Sequence, residues 1–490
     1  MKLDSQHSNH TKAVTMTQCN QLSFSFGTVG RREVVGRFDG GHISSFGGAG
    51  LLMMAERATG ICRQLAGCFA DHRDPDRTEH TVEQLIGQRL FAAVLGYEDL
   101  NDHDRLRFDP LLAAACGCED VLGEDRHRQS DQGAALAGKS TLNRMELTPI
   151  GARKSARYKK IVADRKAIER LLVDLFLQAH ATSGPPDQII LDLDATDVTL
   201  HGDQPGRHFH GYYDDYCYLP LYIHCGEHVL CAKLRPSNID ASRGALDEVK
   251  RIVGHIREHW PRTRIILRAD SGFCRDELMD WCESQEKVDY LFGLARNKRL
   301  VKMIGKPMHE VYQQCLETNK PARRFVELDY RTRKSWSRSR RVVAKAEHLP
   351  GVERDKANPR FVVTSLPADR IDARALYEDE YCPRGEAENR IKECQLDLFG
   401  HRLSTTAFRA NQLRLWLAAI AYALSRAVIR LALGGTKWAT MQTRTLREKL
   451  LKIGARVVVT ARKLWVHLSS SFPDQQMFAQ MYDRLQRWVT

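Results

Sequence analysis

The sequence predicts an α/β multidomain protein: a mixed-sheet core interrupted by a β-rich insertion and preceded by a helical N-terminal domain. Three observations predict it. Two apolar, β-branched runs, Gln188–Leu193 and Arg264–Ala269, each end in a carboxylate and then in turn-forming residues, as buried strands do where they surface. Helical and strand patterns alternate between and after these runs, the order that builds α/β sheets. Within residues 296–366, FVELDYRT, RRVVAKAEHL and RFVVTSLP are three further β-rich runs separated by basic or Pro/Gly turns. The chain has 490 residues, so a prior of roughly 150 residues per domain suggests about three domains with ample material for a core.

The elements follow in order. Residues 1–50 are polar and glycine-rich and are expected to be irregular. Residues 51–150 read as helical: TVEQLIGQRLFAAVLGYEDLNDHDRL places apolar residues at three/four spacing with a break at Gly96. Short helices joined at glycine suit a DNA-reading domain and suit any small bundle equally; with the basic charge of the chain, residues 51–150 are expected to be the DNA-binding domain. The polar stretch 124–140 reads as a linker. Residues 151–295 form the first part of the core. It comprises a helix over Ala152–Ala181, the strand ending at Asp194, strands Cys217–His224 and Val229–Leu234, and a helix Arg243–His259. The strand ending at Asp270, a helix Arg275–Ser284 and a strand Tyr290–Leu294 complete it. That order suits a mixed sheet of the ribonuclease H type. Residues 296–366 are the β-rich insertion, and residues 367–430 return to helix for the second part of the core. There Leu415–Leu424, between Arg414 and Arg426, is too short an apolar run to span a bilayer and reads as a buried helix, so no membrane association is expected. Residues 431–490 contain LREKLLKI and ARVVVTARKLWVHL, a helix and paired strands.

Three acids stand out against this frame. Asp194 in QIILDLDATD and Asp270 in TRIILRADSGF end equivalent strands, and side by side they set two carboxylates close together. Like charges at that distance need a shared proton or a cation. Hard oxygen donors favour Mg2+, with Mn2+ as a substitute. Asp192 shares a strand face with Asp194 and is the alternative ligand. The third acid, Glu388, lies in a helix Tyr381–Leu398 beginning near Pro383. Tyr381, Arg384, Glu388, Lys392 and Gln395 recur at helical spacing on one polar stripe, while Ala387, Ile391, Cys394 and Leu398 form an apolar one. From periodicity alone the polar stripe is as readily a solvated face as a functional one.

Charge points toward a polyanionic partner. The formal net charge is +13, and it is concentrated: fifteen Lys/Arg against four Asp/Glu lie between Arg296 and Lys345. The cluster RTRKSWSRSRR surrounds Trp336 with Arg338, Arg340 and Arg341. It reads either as a solvated loop or as a basic groove with a stacking ring for distorted DNA. The thirteen cysteines show no CxxC pair, and the first residues, MKLDSQHSNHTK, lack an apolar signal core. Both favour reduced thiols in the cytoplasm.

Two motifs compete with this reading. GAALAGKS, Gly133–Ser140, satisfies the Walker A string, but a P-loop needs a buried strand before its first glycine and here EDRHRQSDQ precedes it. A loop entering a helix is the better reading, and no ATP requirement is expected. His208 and His210, with Tyr212, Tyr213 and Tyr216, suggest a structural or DNA-contact cluster more than a metal site.

DATD, RADSGF and YCPRGEAENRIKE, in this order and with a strand-rich stretch before the last, resemble the DDE transposases of bacterial insertion sequences. More narrowly they resemble the branch whose third acid lies in a tyrosine, arginine, glutamate, lysine signature; HGDQPGRHFHGYYDDYCYLPLY, LRPSNIDASRGA and FGLARNKRL are similar to one subgroup of it. The resemblance covers at least residues 80–430. It implies a ribonuclease H-like core and catalysis by Asp194, Asp270 and Glu388 as ligands of a divalent metal. It further implies two-metal cleavage of DNA ends, transfer of the freed 3′-OH to target DNA, and a homodimer holding two transposon ends in a bacterial cytoplasm, nucleoid-associated when bound. Asp194 is preferred to Asp192 because the match runs through Asp-Ala-Thr. Tyr381 and Arg384 match positions that hold phosphate near the cleaved end. The signature lysine, seven residues after the glutamate, is here Gln395, with Lys392 one turn after Glu388 as the nearest replacement. A catalytically silent DNA-binding derivative and a P-loop ATPase are the alternatives, and the presence of all three acids argues against silence.

Overall fold

The computed structural model describes residues 23–350 and 357–489. Its centre is an eight-stranded mixed sheet of β1 (Gln188–Ala195), β2 (Leu221–Cys225), β3 (His228–Lys233), β4 (Arg264–Ala269), β5 (Val288–Leu294), β6 (Ala322–Tyr330), β7 (Arg340–His348) and β8 (Arg360–Thr364). The spatial order is β3-β2-β1-β4-β5-β8-β7-β6. β1, β4 and β5 run parallel, and every other neighbour pairs antiparallel.

The apolar runs of β1 and β4 are continuous because both sheet faces are covered there. Ile189, Leu191 and Leu193 point to one side, into a cluster with Val173 and Phe176 of helix Arg165–Ala179 and with Val249, Ile252 and Ile256 of helix Ala245–His259. Ile190 and Ile266 point to the other, where Leu291, Val343, Val362, Leu376 and Tyr377 pack. Strand periodicity thus assigns alternate residues to two cores.

The basic segment between the second and third acids adds its strands to this same sheet, because β8 pairs with β5. Two helices, Lys298–Met303 and Gly305–Thr318, precede β6. The second buries only Val311 and Cys315, too thin a stripe for periodicity to reveal. Residues 152–160 lie outside the helix expected from Ala152, which starts at Arg165 behind an Asp164 cap.

The other half of the molecule is a helical core around the 26-residue helix Phe408–Leu433. It packs with helices Ala49–Thr59, Val82–Leu95 and Gln475–Val489 in one cluster. The expected ends at Arg414 and Arg426 do not stop it. Arg414 Nε meets Glu146 at 2.8 Å and Arg426 pairs with Glu227, so both charges are satisfied within the fold. The helix is long and apolar enough to cross a bilayer, but 83% of its most apolar window is buried inside the protein, so it is a core helix.

Residues 1–22 of the N-terminal segment lie outside the described residues. Residues 23–50, expected to be irregular, contain a hairpin, Ser23–Val29 with Arg32–Arg37, that glycines make possible: Gly27 and Gly30 adopt φ +93° and +62°. His42–Ser44 then pairs with Ala455–Val459, which pairs with Leu464–Leu468. The expected linker 124–140 is packed as well, with Ala134–Ala137 all buried.

Candidate active site

β1 and β4 lie side by side with Leu193 opposite Ala269. The next residue on each strand is the acid, so Asp194 and Asp270 leave the sheet together at the carboxyl ends of parallel strands, the edge where open α/β sheets place their sites. Asp270 is fixed by a turn, accepting the Gly272 N–H at 2.8 Å. Asp194 accepts the Ala195 N–H at 3.0 Å. Burial pushes its carboxyl up to about 6; the Asp270 charge raises it, Arg384 opposes, and Glu388 raises it again. The two strand acids and the helix acid therefore share one electrostatic environment.

The helix that supplies Glu388 starts earlier than expected. A helical course runs from Ala373 to Asp397, made of a short α turn, a wide π turn at Leu376–Tyr381, a tight 3-10 turn at Cys382–Arg384, the α-helix Gly385–Lys392 and a second π turn at Glu393–Asp397. Pro383 lies inside it. The missing N–H and the ring are accommodated by the change from wide to tight turn, the kind of irregularity that proline imposes. The apolar stripe Ala387, Ile391, Cys394 and Leu398 is buried, which turns the polar stripe outward. On it, Arg384 Nη2 meets Glu388 Oε1 at 2.7 Å. Arg384 also feels Tyr381, Asp194 and Asp270, which outweigh its burial and hold its guanidinium pKa above the ordinary value. Lys392 is exposed one turn farther on.

Gln395 is buried, and its Nε2 donates to the carbonyl of Asp197 at 3.3 Å. It braces the turn that follows Asp194 and is not part of the exposed stripe, because the π turn advances the register there.

Asp192, unlike Asp194, is held by a bidentate arginine. Arg268 of β4 forks onto it, Nε to Oδ1 at 2.5 Å and Nη2 to Oδ2 at 2.8 Å, and its Nη1 donates to the Glu380 carbonyl at 2.5 Å. Both side chains are buried. The pair ties β1, β4 and the acid-bearing helix together just behind Tyr381. Arg268 carries a weak signal in the sequence: it is one of two arginines in the strand RIILRA, and the one set among its apolar residues.

Two more residues complete the site. Gly293 of β5 lies so close that an added Cβ would come within 2.6 Å of Tyr381 Oη and 2.9 Å of the Ser271 nitrogen; glycine there admits both Tyr381 and the Asp270 turn. Tyr213 donates its hydroxyl to the Ala195 carbonyl at 3.2 Å. Burial, then Asp197 and Asp194, push that hydroxyl's pKa upward.

The basic cluster of 331–341 is elsewhere and differently built. Trp336, expected to offer a ring to DNA, is 5% exposed. It packs edge-on to Tyr330, with the Arg340 guanidinium 5.4 Å over its ring. Arg340 is itself held by Asp276, Asp280 and Glu283 at 2.6–2.7 Å, and Arg341 by Glu327 and the carbonyls of Leu366 and Ile371. Carboxylates distant in sequence, Asp276, Asp280 and Glu283 for Arg340, and one from the neighbouring strand, Glu327 for Arg341, neutralise this part of the run. Arg338 remains largely exposed, with Glu283 at 3.3 Å.

The Walker-like loop is preceded by a 3-10 turn, Gln129–Asp131. At the start of its helix the Lys139 N–H donates to Asp104 Oδ1 at 3.0 Å, so a carboxylate occupies the place a phosphate would need. Another acid and histidine group, His255, Glu258 and His259, brings its ligand atoms within 4.8 Å of one another. It ends the helix that leads into the amino end of β4, the opposite edge of the sheet from Asp270. There Asp174 engages His255 at 2.9 Å and Arg170 engages Glu258 at 3.1 Å.

Residues 26–490 match the family model described as transposase DDE domain group 1. No curated protein matches the sequence. Among solved structures, the chain is similar to a cryo-EM structure of the piggyBac transposase synaptic complex with hairpin DNA, at 11% identity and a TM-score of 0.40, over 81% of this chain and 78% of that one. That likeness is too distant to bear on fold or function. The family match spans nearly the whole chain, and the chain belongs to the transposase DDE domain group 1 family.

Proposed function

We propose that the protein is a transposase that binds the ends of an insertion sequence, cleaves DNA phosphodiesters there and transfers the freed 3′-OH ends to target DNA. Asp194, Asp270 and Glu388 are the catalytic carboxylates and the metal ligands. The observation that carries this reading is the convergence of three acids, two from adjacent parallel strands and one from a helix, with Asp194 raised to about 6 by burial and by the other two charges. A ribonuclease H-like core is supported by the strand order β3-β2-β1-β4-β5, in which only β1, β4 and β5 run parallel.

The donor set fits a hard divalent cation: carboxylate oxygens that repel one another in a half-buried setting, as Mg2+ or Mn2+ sites require. When bound, such ions activate water for in-line attack and stabilise the leaving 3′ oxygen. The chain itself supplies the rest. Arg384, drawn into the same field as the acids, offsets phosphate charge beside Glu388. Tyr381 is seated against the Asp270 turn by Gly293 and offers its hydroxyl to the same phosphate. Lys392, exposed one helical turn on, extends the cationic stripe in place of the lysine that Gln395 does not provide. Asp192 and Arg268 keep the helix in register with the strands and take no part in chemistry. DNA is the partner, and two copies hold two ends.

The test is cleavage of a labelled element end in Mg2+ by wild type and by Asp194→Ala, Asp270→Ala and Glu388→Ala. Each variant is expected to lose cleavage while still binding the end. Near-wild-type cleavage by any one of them removes that residue from the assignment, and the same result for all three removes the reading.

A further inference from the structure

We infer that the aromatic hairpin of residues 207–216 is a stacking platform for unpaired bases of a DNA end held at the three acids, an inference that rests on the transposase reading above. The strands His208–His210 and Asp215–Tyr218 pair antiparallel, with Phe209 opposite Tyr216, and the turn between them is closed by Asp214 at φ 55°. Phe209 is 54% exposed, Tyr212 84% and Tyr216 47%. Single exposed aromatics are ordinary, but three within eight residues form a patch.

The patch is held, not loose. Ser237 Oγ accepts the His208 N–H at 3.1 Å and donates to the His208 carbonyl at 2.9 Å. Cys217 and Tyr218 at the base of the hairpin are buried. Tyr213, between the exposed rings, bonds the Ala195 carbonyl immediately after Asp194. The platform is therefore anchored to the strand that carries the first acid.

Its chemistry selects bases over phosphates. Asp214 and Asp215 belong to the hairpin itself, and the guanidinium of Arg207 is already paired with Asp203 at 2.5 Å. That guanidinium also sits 4.8 Å over the Tyr216 ring, whose edge meets Phe209 at 5.7 Å. Flat rings beside an arginine plane, with no surplus positive charge, suit the face of an unstacked base. In an intact duplex those faces are covered by neighbouring pairs, so the ligand is unpaired DNA. Trp336, buried under Arg340, does not offer such a surface.

The experiment uses the full-length protein and fluorescence anisotropy with three probes: a blunt duplex, the same duplex with a single-stranded thymine tail, and that duplex with a tail of abasic sites. Wild type is expected to prefer the thymine tail to the abasic tail by about 5- to 150-fold, the range for stacking one base. Phe209→Ala and Tyr212→Ala should lose most of that ratio, and Tyr212→Phe should keep it. Tyr212 is so exposed that its removal leaves the core untouched, and thermal melting of each variant checks this. An unchanged ratio in both alanine variants, or a wild-type ratio near one, overturns the inference. If duplex binding and acid-dependent cleavage survive that result, the hairpin inference alone fails; if wild type binds none of the probes, the transposase reading fails with it.

Discussion

Asp194→Asn is expected to stabilise the metal-free protein at neutral and alkaline pH. The carboxyl's ordinary value of 3.8 rises to about 6 in the fold, chiefly through burial and then through Asp270. At about 1.4 kcal/mol per pH unit, that difference amounts to roughly 3 kcal/mol at most. A carboxyl raised in the folded state adds stability below pH 3.8, and that contribution is lost as the pH rises through about 6. Above pH 6 the folded chain keeps an anion where anions are disfavoured, and asparagine removes it. The assay is denaturant unfolding in EDTA from pH 4 to pH 8. The variant should exceed wild type by up to about 3 kcal/mol at pH 8, with the gap closing toward pH 4. Added Mg2+ at pH 8 should narrow the gap by stabilising wild type alone. A variant no more stable than wild type at pH 8, or a gap that ignores pH, would mean that the Asp194 carboxyl is not raised in the fold.

Other consequences follow from the same neighbourhood. Arg268→Ala should destabilise the fold by about 3–5 kcal/mol, because it leaves Asp192 buried without its partner; an Asp192→Asn, Arg268→Met double variant should recover much of that loss in denaturation, and full additivity would contradict the pairing. Gly293→Ala should cost about 1–3 kcal/mol and lower end cleavage, since the new methyl meets Tyr381 Oη and the Ser271 nitrogen; adding Tyr381→Phe should recover stability in part, and no clash-dependent recovery would count against the packing. Trp336→Ala should destabilise by about 3–5 kcal/mol as a core truncation, yet leave the preference for thymine-tailed over abasic-tailed DNA intact; a selective loss of that preference would restore Trp336 to the DNA surface.

How much was legible depended on the range of the interactions. β1 and β4 were readable because each is a short apolar run ended by an acid and a turn, a local signal. The buried stripe Ala387, Ile391, Cys394 and Leu398 was readable for the same reason. The true start of that helix was not, because local rules make Pro383 a beginning, and only tertiary packing lets a helix carry it through two changes of pitch. Trp336 and Arg340 read as a DNA surface because a charge run cannot reveal Asp276, Asp280 and Glu283 closing on it from another helix. Asp192 and Asp194, two residues apart on one face, read alike by periodicity, and the partner that holds Asp192 is Arg268 from the neighbouring strand. Tyr213 and Gly293 entered the site through contacts whose partners are distant in sequence.

If Asp194, Asp270 and Glu388 form one divalent-cation site, calorimetric titration of Mn2+ into the DNA-free protein detects it without reference to any DNA sequence. Wild type is expected to bind Mn2+, with affinity rising as the pH passes about 6 and Asp194 ionises. Asp194→Asn, Asp270→Asn and Glu388→Gln should each weaken binding sharply, while Lys392→Ala should not. Binding that survives all three carboxylate substitutions unchanged would mean that these acids do not form the site.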